Sequence, residues 1–153
     1  MSVSTMAVAF LILLGIVLIG ILFDVIGVAV TSADEKPFHS MAARKVPGAQ
    51  ESIRLLRNAE RVSSICNDVV GDICGVVSGS ASATIAAQVL NRFEFSWPQA
   101  VGLIMSALVA GLTVGGKAVG KTFAIGSCTV IVQSVGRVIW WLRHWPELFK
   151  KRK

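Results

Sequence analysis

Residues 5–32 read TMAVAFLILLGIVLIGILFDVIGVAVTS, apolar on every face and carrying one ionisable side chain, Asp24. No other feature of the chain constrains its fold as much. A helix needs about 20 such residues to cross a hydrocarbon core about 30 Å thick. A helix lying on a water-soluble core would show a polar stripe, and none is present. The segment therefore predicts a membrane span. A cleaved signal peptide is the competing reading, but no Lys or Arg precedes the run and the run is too long for the apolar part of a signal. Asp24 becomes the first candidate functional residue, because a charge at membrane depth is costly and faces a partner or a water-filled cavity.

The rest of the composition agrees. A chain of 153 residues with 54% hydrophobic and 16% charged residues and a mean hydropathy of +0.68 suits a small polytopic membrane protein built as one domain, residues 1–153. Cys66, Cys74 and Cys128 lie in apolar or small-residue stretches without metal-ligand spacing, which reads as buried thiols. The net charge of +6 is distributed as membrane topology predicts. With few aromatic residues and no nucleic-acid motif, a nucleic-acid partner is not expected.

Residues 33–63 form a polar connection carrying Lys36, Arg44, Lys45, Arg54, Arg57 and Arg61, punctuated by Pro37 and Pro47. Each proline suits a helix start, and two short helices are expected, at least one at the membrane surface. A second apolar segment, residues 65–90, is dominated by small residues. Gly71, Gly75, Gly79, Ala83 and Ala87 recur every four positions, the spacing of a helix face that lets another helix approach closely, within the chain or between chains. A third span is expected over 98–116, with Phe95 and Trp97 as interface anchors. Residues 118–153, with Trp140, Trp141, Trp145 and the final KKRK, read as an interfacial helix and a basic tail. A fourth span through 122–142 is the alternative. Three spans with the basic segments inside place the N-terminus outside and the C-terminus in the cytoplasm of a cell-membrane protein.

Residues 115–122, GGKAVGKT, satisfy the phosphate-loop pattern. That motif needs a preceding strand and a magnesium-holding Asp on another strand. No Asp follows Thr122, and Gly102, Ser106 and Ala110 at helical spacing suit a membrane helix. No nucleotide is expected. Neither His39 nor His144 has a nucleophile or metal-ligand partner at recognisable spacing, so an enzyme is not expected.

The same stretch, Gly116-Lys117-Ala118-Val119-Gly120-Lys121-Thr122, resembles the Gly-Glu-x-x-Pro-Lys-Thr element after the third span of the CNNM/CorB/CorC transmembrane domain, a family of magnesium and cobalt transporters. Ala29-Val30-Thr31-Ser32-Ala33 is similar to the family's Ala-x-x-Ser ending of the first span. Gly48-Ala49, Leu55-Leu56 and Asn58-Ala59-Glu60-Arg61 resemble its Gly-Ala, Leu-Leu and Asn-Pro-Glu-Arg elements. The likeness covers roughly residues 8–145. It implies an all-α integral membrane protein with three transmembrane helices, short cytoplasmic and interfacial helices, and a homodimer. The family's Ser-Gly-Ser-Glu corresponds to Asp24-Val25-Ile26-Gly27, so its Glu is lost and an Asp appears three residues earlier. Its Gly-Asn element corresponds to Cys66-Asn67 or Gly71-Asp72. Lys117 stands where the third element has Glu, and Gly120 where it has Pro. The expectation is a stand-alone domain without the CBS pair of larger members.

What the resemblance implies for function is transport or binding of a divalent cation, Mg2+ or Co2+. Asp24, Asp68 and Asp72 with Asn67, Thr31 and Ser32 are the oxygen side chains expected to hold it, since magnesium takes six oxygens at about 2.0–2.1 Å. The alternative is a non-transporting membrane scaffold or regulatory partner. In that case Lys117 or Lys121 replaces the cation by pairing with an intramembrane Asp.

Overall fold

The computed structural model describes residues 3–92 and 98–150, with side chains described over 7–89 and 100–144. Phe95, Trp97, the Trp145 side chain and the basic side chains from Lys150 onward lie outside these, so the roles expected of them are not addressed by the structure. All described elements are helices: α1 (Val3–Ser32), α2 (Lys36–Ala43), α3 (Ala49–Arg57), α4 (Ala59–Ser64), a π-helical segment (Ile65–Val70), α5 (Gly71–Arg92), α6 (Pro98–Gly126) and α7 (Cys128–Lys150). Three stretches are long and apolar enough to cross a membrane: Ala7–Ser32, Ala59–Val89 and Ala100–Gly126.

The three long helices form a bundle in which α1 packs on both α5 and α6. Leu13, Val17, Gly20, Asp24 and Gly27 are buried along α1, and their spacing of three and four places them on one stripe. The opposite face carries Leu11, 68% exposed, with Leu18 and Leu22. Val76 and Val119, each 73% exposed, and Leu103, 72% exposed, do the same on α5 and α6. Soluble monomers rarely expose apolar patches on this scale.

The third long helix does not stop near Gly116, as the sequence suggests, but runs to Gly126, and the chain turns at Ser127. The reason is close approach. A Cβ on Gly116 would collide with the Ile21 side chain, and one on Gly120 would stand 2.7 Å from Val25 Cγ2. Each glycine costs about 1 kcal/mol of helix propensity, but here it lets α6 lie against α1, and that contact carries the helix onward. Residues 122–126 thus belong to α6. The stretch expected as a possible fourth span is split between two helices, α6 and α7.

The expected pair of short helices is present. α2 has Pro37 in its first turn, and α3 follows a cap at Gly48, directly after Pro47. They close one end of the bundle. Phe38, Ala29, Val30, Leu56, Ala124 and Val132 form a buried core there, drawn from α2, α1, α3, α6 and α7. α7 docks on α3 through two glycines. Gly48 has φ +85°, and a Cβ on it would stand 2.5 Å from the Arg137 backbone N. Gly136 faces Ser52, whose hydroxyl lies 3.2 Å from Val132 O and 3.0 Å from Gly48 O. A Gly48→Ala substitution meets both the left-handed penalty of about 1–2 kcal/mol and the backbone of α7. Loss of at least that much stability is expected in thermal unfolding of the detergent-solubilised protein, with α7 released first.

A candidate charge-pair site between the long helices

The inward stripe of the second long helix decides the geometry of the site. Cys66 and Gly71 are both buried although five residues apart, and from Gly71 the stripe continues through Cys74, Ser78, Ser82 and Ile85. The five-residue step spans the π-helical segment, whose wider turn advances the register by one residue. Asn67 and Gly71 therefore face α1, while Asp68 and Asp72 turn outward.

Asp24 is 4% exposed. Its Oδ1 lies 4.0 Å from Lys117 Nζ, with the lysine side chain 29% exposed. The same ammonium passes Gly71, where a Cβ would stand 3.4 Å from it. One turn along α1, Gly27 receives the Asn67 carboxamide in contact close enough to exclude a Cβ. Asn67 Nδ2 donates to Ser63 Oγ at 3.1 Å. Asp24 Oδ2 and Asn67 Oδ1 are buried without a hydrogen-bond partner. Two opposite charges about 4 Å apart interact by about 4 kcal/mol at an effective dielectric of 20, so this pair couples α1 to α6 inside the bundle.

The other expected site residues are placed elsewhere. Asp68 is exposed and accepts from Ser64 Oγ at 2.8 Å. Asp72, Ser32 and Lys121 are exposed. The Thr31 hydroxyl is turned back onto its own helix, 2.9 Å from Val28 O and 3.2 Å from Gly27 O. The structure thus brings together Asp24, Asn67 and Lys117. Among the described residues no three His, Cys, Asp or Glu side chains gather as a metal cluster. Residues 115–122 are helical throughout, so their N–H groups serve the helix ladder and do not form a phosphate cradle.

Gly27 and Gly71 were not foreseen as parts of the site. Their role is to admit the Asn67 amide and the Lys117 ammonium, and the only sequence signal for it is a glycine at helical spacing from a polar intramembrane residue. The stripe Gly71, Gly75, Gly79, Ala83, Ala87 does not form a single contact face. A four-residue repeat gains about 40° per step on a 3.6-residue helix, so only Gly71 points inward. Gly75 and Gly79 are exposed, and a Cβ on either would meet nothing within 4 Å.

Comparison with known proteins finds no matching family model, no matching curated protein and no matching solved structure. The class is defined by the fold alone: an all-helical protein with three helices long and apolar enough to span a membrane.

Proposed function

We propose that this chain is a multi-pass protein of the cell membrane, N-terminus outside and C-terminus cytoplasmic, that acts as a non-transporting scaffold or regulatory partner. In this reading an internal Asp24–Lys117 pair takes the place of a bound cation. The observation that supports it is the position of the Lys117 ammonium, 4.0 Å from Asp24 Oδ1. A divalent ion added beside that pair would bring two further positive charges against a lysine in a poorly screened interior. Asp68 and Asp72, which would have to neutralise it, are exposed on another face. The homodimer implied by the CNNM/CorC resemblance belongs to this reading, with the outward Gly75 and Gly79 surface as the face where a second copy packs closely.

A second reading, transport of Mg2+ or Co2+ in the manner of that family, is favoured by one specific observation. Asp24 Oδ2 and Asn67 Oδ1 are buried oxygens with no donor, and hard cations bind oxygens of this kind. Under it, Lys117 swings away when the ion enters. Ion flux into proteoliposomes carrying the purified protein decides between the two. The scaffold reading expects Mg2+ and Co2+ flux no greater than in protein-free vesicles. Flux by the wild type that disappears in Asp24→Asn would overturn it in favour of transport.

A further inference from the structure

At the bundle end closed by α2 and α3, a cleft of about 430 Å³ opens between the α2–α3 turn, α3 and α7. Its charged and aromatic lining is Lys45, Glu51, Arg54, Trp140, Arg143 and His144. Glu51 Oε1 lies 3.2 Å from Arg54 Nη1 and 3.1 Å from Arg143 Nη1, so one carboxylate is shared between two guanidinium groups. Lys45 has no ion-pair partner among the described residues. Lys45, Arg54 and Arg143 thus set three cations against one carboxylate. Both arginines are largely exposed, at 59% and 62%. Exposed pairs of this kind add little stability, so the arrangement has little structural purpose and leaves the guanidinium groups free to exchange partners. Lys45 is held at φ 56°, a left-handed conformation rarely adopted by a residue with a side chain.

Trp140 and Pro47 also border a second cleft of about 440 Å³, completed by Arg137, Val138 and Trp141. A basic cleft and a mainly apolar one therefore adjoin across a single tryptophan. The His144 ring stacks on Trp140 with centroids 4.4 Å apart, and its Nδ1 lies 3.0 Å from Trp140 O. That contact fixes the imidazole at the border between the two clefts.

We infer that the paired clefts form a binding site for an anionic phospholipid. The phosphate would be held by Arg54, Arg143 and Lys45, and an acyl chain would lie along Trp140 and Val138. Guanidinium groups recognise phosphate through paired N–H donors. Tryptophan favours the level where headgroup meets hydrocarbon, and basic clusters beside membrane helices select anionic lipid. Val132, near the start of α7, belongs to the same buried cluster as Ala29 and Val30 at the end of the first long helix, which sets the cleft at the rim of the apolar bundle. The inference rests on reading the long helices as membrane-spanning.

The test uses the full chain in nanodiscs of phosphatidylcholine alone or with phosphatidylglycerol, with retained lipid counted by native mass spectrometry. The expected result is preferential retention of phosphatidylglycerol, reduced about tenfold in Arg54→Gln/Arg143→Gln, a change of one order of magnitude in the binding constant. Glu51→Gln removes the competing carboxylate and is expected to hold the lipid as tightly as the wild type or more so. Trp140→Ala is expected to weaken lipid retention. Equal retention of the two lipids, or a Glu51→Gln variant that loses lipid as the arginine variant does, would overturn the proposal. So would displacement of the lipid by millimolar inorganic phosphate, which would assign the cleft to a free anion. Failure to enter phosphatidylcholine nanodiscs would sink the membrane reading itself, whereas entry without lipid preference removes only the lipid site.

Discussion

Lys117→Met is expected to destabilise the protein by about 3–5 kcal/mol, the usual cost of leaving a buried charge without its partner. Asp24 is 4% exposed, and one of its oxygens already lacks a hydrogen-bond partner. Without the ammonium its charge has no compensation. Lys117→Met combined with Asp24→Asn should recover much of the loss, because neither charge then remains buried. Lys117→Met combined with Asp72→Asn should recover none, since Asp72 is exposed on a different face. Equilibrium unfolding of the four proteins in detergent, arranged as a double-mutant cycle, measures the coupling directly. A coupling near zero between residues 24 and 117 would show that the pair does not hold the bundle, and the scaffold reading would lose its main support.

Gly116→Leu carries the next largest effect. Its first added carbon already meets the Ile21 side chain, which must shift before the rest of the leucine can be placed between α6 and α1. Overpacking of this kind costs about 1–3 kcal/mol. The same displacement would move Lys117, the next residue, away from Asp24, so the loss should exceed that of a simple packing defect. Gly75→Leu is the control. A side chain there meets nothing in the protomer, and its effect on protomer stability should stay within about 0.5 kcal/mol. If Gly75→Leu instead abolishes a dimer seen by mass photometry, the outward face is where two copies meet. Equal destabilisation by both substitutions would contradict the packing described here.

Much of this was legible in the residues. The three long apolar helices, the short helices at Pro37 and near Pro47, and Asp24 as the one charge within the first span follow from hydropathy and helix periodicity. So does the possibility of an Asp–Lys pair, because the sequence places Lys117 and Lys121 at the depth of the intramembrane carboxylates. The partner was not legible. Asp68 and Asp72 lie four apart, the spacing of a single helix face, yet the π-helical segment advances the register just where they begin. The five-member glycine and alanine repeat was legible as close packing, but its drift around the helix leaves one member inside.

By itself the sequence determined which segments are apolar, how long they are, where the chain turns polar and which charge must be explained. Each of these depends on transfer from water or on local backbone geometry, and both are set by neighbouring residues. Tertiary structure alone decided how each helix is rotated about its axis. It also decided that Asn67 and Gly71, rather than Asp68 and Asp72, face α1, that α6 continues past Gly116, and that Lys117 meets Asp24 while Lys121 does not. Rotation and partner choice depend on the summed fit of side chains far apart in the chain, Ile21 with Gly116, Val25 with Gly120 and Asn67 with Gly27. No local property of any one segment contains that sum.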